Sequence, residues 1–530
     1  MTTPNRLAVL SCAALVATTA AGCASVEKVA GGGGNETITM GTTSVTSVLD
    51  PAGAYDAGSW LILNNTFQSL LSFPSGATEP QPDAAESCQF TSADALTYTC
   101  KLRGGLKFSN GHPLTAQDVK FSIDRVKKID DPSGPASLLS TIASVETSGD
   151  RDITFHLDSP DAVLPAKLAS AAGSIVDHQV FPADKLLGNG SLVGSGPYRI
   201  DSVEMDGKAP SKVLLSANSG YQGTAKLQNG KFAVRYFDKP EELKSALDSG
   251  AVDLTDNSLD PGAAAQIKSD DLAGTGKLRV AEGASGETRY LVFNTKDETG
   301  GNQAVRQAAA QLVDRKAISH DVYAGTVQPL YSIVPAGVAG HTTAFFDKYG
   351  EPDPAKAKRI LTNAHVATPV KLTLTWSRAR AGAAELESVK QQLENGGLFQ
   401  VTVQQEPDWT AFQAGWKNGG YQAYTVGWTP DYSDADDYIS PLVVGGGAFH
   451  NGWDNPQISG KLVPDSIKLT DRSGGGAYDQ IQKILADAVP MVPLFQNKSF
   501  YVYQPAITGV DSTVDSSGVF RFWEIGRTAK

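Results

Sequence analysis

The feature that most constrains the fold is the order of the local patterns that follow Glu36. Stretches of alternating apolar and polar residues, such as Leu96–Lys107 and Val401–Gln405, are interleaved with stretches of helical spacing, such as Val305–His320 and Tyr478–Ala488. This order shows no repeat along the chain. Interleaved strands and helices are typical of mixed sheets that carry helices on their faces. The sequence therefore predicts an α/β fold.

Size and charge narrow the possible classes further. The chain has 530 residues, and at about 150 residues a domain this length corresponds to about three lobes. The formal net charge is −12. A nucleic-acid-binding surface needs an excess of basic groups to displace counterions, so this charge argues against DNA or RNA as a partner. No apolar run in the sequence reaches the roughly 20 residues that a membrane-spanning helix requires.

The first residues have the pattern of an export signal. Arg6 precedes the uncharged run Leu7–Ala21, which is too short to span a bilayer comfortably. The small residues before Cys23 resemble the lipobox of bacterial lipoproteins, in which the cysteine becomes lipidated. This resemblance implies a signal peptide over 1–22 and a lipid-anchored, Gly-rich tether over 23–36 on the outer face of the cell membrane. An ordinary secretory signal with an incidental cysteine is the alternative.

Two cysteines, Cys88 and Cys100, lie beyond this segment. They flank Gln89–Thr99, in which Thr91–Ala95 supplies a turn between two strand-like runs. A hairpin here brings the thiols together, and closing such a short loop contributes on the order of 3 kcal/mol. In an exported protein this even pair predicts a disulfide, and two buried free thiols are the alternative.

Local motifs of catalytic, metal and phosphate sites are absent from the sequence. The seven histidines are scattered and form neither HExxH nor another close pair. The chain contains no GxSxG nucleophile elbow, no GxxxxGK[ST] phosphate loop and no GxGxxG dinucleotide motif. We therefore expect no catalytic residue, no metal site and no cofactor.

Three groups of segments resemble the signature of one bacterial family. The first is EPQPDAAES at 79–87, followed by LTYTCKLRGGLKFSNGHPLTAQDV at 96–119. The second group consists of Gly194–Tyr198, Ser249–Leu254, Tyr290–Thr295, Val305–Ala308 and Val313–Arg315. The third is GWTPDYSDAD at 427–436. In this order they are similar to extracellular solute-binding family 5, the dipeptide- and oligopeptide-binding proteins that serve ABC importers.

The resemblance runs from residue 37 or so to the end and implies an α/β fold of the periplasmic-binding-protein type II-like class (cluster C). Such a fold has two lobes joined by a hinge, plus an extra inserted lobe. We expect a discontinuous lobe I over 37–72, 178–283 and 495–530. The inserted lobe II would occupy 73–177, and lobe III would occupy 284–494.

The resemblance also implies where a ligand binds. In the family, an aspartate in a strand-end loop holds the α-ammonium group of the peptide, and Asp431 matches that position. A carboxylate in a poorly hydrated cleft forms a charge-assisted hydrogen bond with an ammonium group. Taken alone, the residues also allow a turn acid at Asp431 and a core indole at Trp428. The implied ligand-binding residues are Asp431, Trp428, Gly427, Arg378, Asn257 and Tyr290.

In functional terms, the resemblance implies a non-enzymatic, extracytoplasmic lipoprotein. It would bind a peptide, close by hinge bending and dock as a monomer on the permease of an ABC transporter. The same fold with a non-peptide ligand, such as haem, a nickel chelate, an oligosaccharide or an opine, is the first alternative. An exported hydrolase is a remote second alternative.

Overall fold

The computed structural model of the protein describes residues 36–188, 192–207, 209–377, 382–445, 447–472 and 476–528. Strands and helices are interleaved throughout these residues, which confirms the predicted α/β class. The strands are β1 (Ile38–Thr42), β2 (Leu71–Ser72), β3 (Gln81–Pro82), β4 (Ala85–Phe90), β5 (Thr97–Leu102), β6 (Ile142–Ser148), β7 (Asp152–Leu157), β8 (Tyr198–Asp206), β9 (Ala209–Ala217), β10 (Lys231–Tyr236), β11 (Leu254–Thr255), β12 (Arg279–Phe293), β13 (Val327–Pro329), β14 (Val370–Ser377), β15 (Phe399–Glu406), β16 (Ala423–Trp428), β17 (Met491–Tyr503), β18 (Ile507–Thr508) and β19 (Gly526–Arg527).

The helices pack on the faces of the sheets that these strands form. They are α1 (Ala57–Thr66), α2 (Ala116–Ile129), α3 (Leu164–Ala169), α4 (Pro240–Asp248), α5 (Pro261–Leu272), α6 (Gln303–Leu312), α7 (Arg315–Ala317), α8 (Ala344–Tyr349), α9 (Pro354–Asn363), α10 (Ala383–Glu394), α11 (Trp409–Lys417), α12 (Asp436–Val443), α13 (Val463–Ser466) and α14 (Gly476–Ala488). Short 3₁₀ or π segments lie at Ala136–Leu139, Ala171–Gly173, Ile318–Val322, Asn395–Gly397, Ile458–Leu462, Val510–Thr513 and Phe522–Glu524.

A large mixed sheet runs through most of the chain. Its strand order is β15-β14-β16-β12-β17-β11-β1-β10-β9-β8, and β13 pairs with β17 beside this path. On one side, β14 lies parallel to β15 and β16. On the other side, β1 lies parallel to β10 and β11. The long antiparallel strands β12 and β17, with 15 and 13 residues, join the two sides.

The pairing of β12 with β17 is interrupted near its middle. Arg279–Ala284 pairs with Lys498–Tyr503, and pairing resumes only at Thr288, opposite Gln496. The intervening residues Ser285–Glu287 have no partner in this ladder. Such irregularities bend a strand and weaken the local ladder. The sheet therefore has a natural bending point where its two sides meet.

The segment between β4 and β7 forms a separate antiparallel sheet, in the order β4-β5-β7-β6. On β7, Ile153, Phe155 and Leu157 alternate with more exposed residues, so one face of this sheet is buried in its own core. Cys88 and Cys100 are direct partners in the β4–β5 hairpin and form a disulfide. The predicted disulfide is thus confirmed.

Helix α2 covers the buried face of this smaller sheet. Thr115 and Asp118 form the capping box that the sequence predicts at its start. Ala116, Val119, Ile123 and Val126 of α2 belong to the sheet's core. The helix is also tied to the turn before α1, because Arg125 donates two hydrogen bonds, of 2.7 and 2.6 Å, to the carboxylate of Asp50. Both side chains of this ion pair are buried.

The C-terminal segment returns to the side of the large sheet that contains β1. The Phe522 ring stacks on Phe232 of β10 with the ring centroids 4.1 Å apart. Arg521 is fully buried, donates to the carbonyl oxygen of Phe73 at 2.8 Å and forms an ion pair with Asp515. The end of the described chain is therefore part of the core.

Candidate functional site

A cavity of about 940 Å³ lies where the two sides of the large sheet meet. One wall comes from α1, the residues before it and the segment 516–520, and the other comes from the end of β16, the loop after it and α11. Ser285–Arg289 of β12 and Asn497 of β17 line it between these walls. The unpaired residues of β12 therefore belong to the cavity lining.

Asp431 lies in the loop that connects β16 to α12, and it lines the cavity. Its backbone N–H donates a 2.6 Å hydrogen bond to the carboxylate of Asp437, in the first turn of α12. An acid at this position also interacts favourably with the positive end of the helix. The next turn of the loop is held by Asp434, whose carboxylate forms a buried ion pair with Arg472 at 2.6 Å. These contacts fix the loop that presents Asp431.

The carboxylate of Asp431 is partly buried, and its surroundings shift its pKa. Burial raises the pKa of its carboxyl group, and a hydrogen bond from the Tyr55 hydroxyl partly opposes this shift. Burial and the neighbouring Asp431 also raise the pKa of Asp437 well above the ordinary range. Within the described residues, no cationic side chain lies within 4.0 Å of either carboxylate. A cationic ligand group would supply the missing partner.

Two further residues singled out from the sequence line the same wall. The ring of Trp428 packs edge-on against Phe449, with centroids 6.4 Å apart. Its Nε1 is buried and has no hydrogen-bond acceptor in the described part of the chain. Gly427 allows β16 to approach β12 closely, because a Cβ there would lie 2.9 Å from the carbonyl oxygen of Thr288. Gly427, Trp428 and Asp431 are thus brought together in one wall.

Asn257 lines the cavity from the other side of β12 and β17. Its Oδ1 accepts the backbone N–H of Phe500 at 3.0 Å. Tyr290 does not line the cavity: it is fully buried and donates from its hydroxyl to the carbonyl oxygen of Ile333 at 2.7 Å. The preceding residues Thr288 and Arg289 lie in the lining instead. Tyr290 is therefore corrected to a core residue.

The remaining assignments from the sequence lie outside the described residues. Arg378, with its neighbour Arg380, falls in the undescribed stretch 378–381. Cys23, the proposed signal over 1–22 and all but the last residue of the proposed tether over 23–36 fall in the undescribed stretch 1–35. These assignments stay predictions.

Sequence reasoning missed many polar residues that line the cavity, among them Tyr55, Asp256, Glu287 and Arg289. Tyr55 carries no local signal, since it reaches Asp431 only through the tertiary fold. Asp256 and Arg289 are direct neighbours of residues that were chosen, Asn257 and Tyr290.

The chain resembles known proteins over most of its length. The sequence model for bacterial extracellular solute-binding proteins, family 5, matches residues 79–450. Heme-binding protein A of Haemophilus influenzae is 26% identical over 86% of this chain and 85% of its own. Di/tripeptide-binding protein 1 of Pseudomonas aeruginosa is 27% identical over 87% of this chain and 88% of its own.

A solved structure agrees with these sequence matches. HbpA2 from Haemophilus parasuis superimposes with a TM-score of 0.81 at 21% identity, over 93% of this chain and all of that chain. This likeness establishes the predicted fold, the type II periplasmic-binding-protein fold with a mixed α/β sheet. Within the described residues, no helix combines the length and the apolar character needed to cross a membrane.

Proposed function

Because the chain belongs to the bacterial extracellular solute-binding proteins of family 5, we propose that it captures peptides in the cavity between the two sides of the large sheet. The observation that carries this proposal is Asp431, a cavity carboxylate held in place by its loop and lacking a cation partner in the described residues. A free peptide brings one constant cation, its α-ammonium group. Pairing it with Asp431 forms a charge-assisted hydrogen bond and relieves an unpaired, partly buried charge.

Capture would proceed by bending of the two lobes about β12 and β17. The unpaired stretch Ser285–Glu287 supports this motion, because it interrupts the ladder at the cavity. In this proposal, lobe I comprises 37–72, 178–283 and 495–530, lobe II 73–177 and lobe III 284–494. The loaded form then delivers its peptide to the permease of an ABC transporter.

The site is proposed to bind its ligand without converting it. Several serines line the cavity, but no histidine or cysteine stands among its described lining residues to act as base or thiol nucleophile. We further propose that the protein is monomeric, exported through the signal 1–22 and anchored on the outer face of the cell membrane by a lipid on Cys23. Mass determination of the mature N-terminal peptide tests the anchor, because lipidation adds acyl chains to Cys23.

Peptide is favoured over haem as the ligand by the composition of the lining. The described lining residues include no histidine, cysteine or methionine; tyrosine is the one type of axial haem ligand among them, and the Tyr55 hydroxyl already donates to Asp431. They do include a carboxylate placed for an amine. Nickel chelates, oligosaccharides and opines remain outcomes that the experiment distinguishes.

The test combines a ligand search with a binding scan. Native mass spectrometry of the purified protein identifies any ligand that co-purifies. Calorimetry with di- to hexapeptides, each with a free and an N-acetylated amino terminus, then measures the contribution of the α-ammonium group. We expect binding of free peptides and weaker binding of their acetylated forms. Absence of peptide binding, or equal affinity for both forms, would contradict the proposal.

A further inference from the structure

The charges that line the cavity are strongly unbalanced. Its described lining residues include four carboxylates, of Asp56, Asp256, Glu287 and Asp431, and one basic group, the guanidinium of Arg289. Arg289 already faces a carboxylate outside the lining, since its Nε lies 3.8 Å from Oε1 of Glu385. A cleft lined by one sign of charge concentrates ligands of the other sign.

None of the four carboxylates forms an ion pair with a side chain of the described residues. Their hydrogen bonds come from neutral donors: the Asn497 amide to Glu287 at 2.7 Å, the Ser59 hydroxyl to Asp56 at 2.8 Å, and the Tyr55 hydroxyl to Asp431. One α-ammonium group can neutralise only one of them. The remaining negative charge therefore favours a ligand with more than one cation.

Asp256 is the carboxylate with an open acceptor. Its Oδ2 accepts a 2.6 Å hydrogen bond from the hydroxyl of Thr42, while its Oδ1 is buried without a hydrogen-bond donor in the described part of the chain. Burial raises the pKa of this carboxyl group, as expected where no cation compensates the charge. Other buried polar atoms of the lining likewise lack partners there, among them the hydroxyls of Thr288 and Ser433 and the indole Nε1 of Trp428. The lining thus contains buried polar atoms to which a polar ligand could form hydrogen bonds.

The position of Asp256 separates it from Asp431. Asp256 follows β11, whereas Asp431 follows β16, and the sheet order places β12 and β17 between these strands. A ligand with two cations could therefore engage both sides of the bending point at once. This two-sided contact would favour the closed state over the open one.

We propose that the cavity selects peptides that carry a basic side chain in addition to the α-ammonium group, and that Asp256 binds this second cation. The inference rests on the proposed function, since it assigns a substrate class to the same cavity. The two-cation contact needs both Asp256 and Asp431, which lie on opposite sides of β12 and β17.

The test compares peptides that differ only in side-chain charge. Calorimetry is run with Lys-Ala-Ala, Ala-Lys-Ala and Ala-Ala-Lys and with the same peptides carrying norleucine, which keeps the length of lysine without its charge. At one position at least, we expect the lysine peptide to bind about tenfold or more tightly, as for a hydrogen bond to a charged group. In the Asp256→Asn variant, the ratio of the two affinities should fall to nearly one.

The control variant is Glu241→Gln, which removes an exposed acid of α4 that lies outside the cavity lining. It changes the net charge equally and should keep the wild-type ratio. Equal affinity of the wild-type protein for lysine and norleucine peptides at every position would overturn the inference, and so would an unchanged ratio in Asp256→Asn. Binding of neither peptide series would instead refute the proposed function, and this inference with it.

Discussion

Replacing Asp431 with asparagine isolates the charge of the proposed ammonium-binding group. Asparagine keeps the shape of the side chain and one acceptor oxygen. The loop should keep its conformation, because the contact to Asp437 is made by the backbone N–H of residue 431 and not by its side chain. The variant therefore removes the negative charge and little else.

The expected magnitude follows from the surroundings of Asp431. Truncating one member of a buried, hydrogen-bonded charge pair costs about 2 to 5 kcal/mol. Asp431 is only partly buried, and asparagine still accepts one hydrogen bond, so the lower end of this range applies. A loss of about 2 kcal/mol corresponds to about a thirtyfold weaker Kd for a free-amine peptide.

The assay is a four-way comparison by calorimetry at neutral pH, with wild-type and Asp431→Asn proteins against one peptide in its free and N-acetylated forms. We expect the advantage of the free amine, present in the wild type, to shrink about thirtyfold in the variant. Asp454→Asn is the matched control, because Asp454 is exposed and outside the cavity lining. If Asp431→Asn weakens both peptides equally, or neither, Asp431 does not pair with the amine and the reasoning is refuted.

Three further changes test the fold and the loop. Replacing both cysteines of the hairpin disulfide with alanine should lower the free energy of unfolding by about 2 to 4 kcal/mol, measured by urea denaturation. Asp50→Asn should lower it by about 3 to 5 kcal/mol, because Arg125 then stays buried without its charged partner. Gly286→Ala should lower the free energy of unfolding by about 1 to 3 kcal/mol, because a Cβ there lies 2.6 Å from Pro430 and overpacks the loop.

Each of these predictions has its own control. For the disulfide, the reduced wild-type protein should have the same free energy of unfolding as the double alanine variant. Equal stability of the oxidised and reduced wild-type protein would contradict the disulfide prediction. For the ion pair, the control is Asp248→Asn, which removes an exposed acid. If Asp50→Asn lowers the free energy of unfolding as little as Asp248→Asn does, the ion-pair prediction is contradicted. For Gly286, the control is Gly230→Ala, whose Cβ would meet no atom within 4 Å. Equal free energies of unfolding of these two variants would show that the loop tolerates the added methyl group.

Features that depend on neighbouring residues could be predicted from the sequence. The capping box of Thr115 and Asp118 needs a spacing of three, and the structure has it. The hairpin that joins Cys88 to Cys100 needs a turn between two strands, and these residues are direct partners. In both cases the interacting groups lie on one element or on two consecutive ones, so local patterns determine them.

Features that depend on the meeting of distant segments could not be predicted in this way. Asp431 was found through a family resemblance and not through its own surroundings, which as a sequence describe only a turn. Tyr55 donates to it from a segment before α1, and no periodicity links the two positions. Asp256 lines the same cavity from the position after β11. Only the sheet order shows that β12 and β17 lie between Asp256 and Asp431.

The placement of β17 has a consequence for the order in which the protein can become structured. This strand, Met491–Tyr503, lies in the middle of the large sheet and pairs with β11, β12 and β13, yet it follows all three of them in chain order. The two sides of the sheet cannot be joined through it until the chain has been made as far as this strand. Closing such long-range contacts is slow, because the entropy of a large loop is lost before the contacts form. A growing chain therefore lacks this inner strand of the sheet until Met491–Tyr503 has been made.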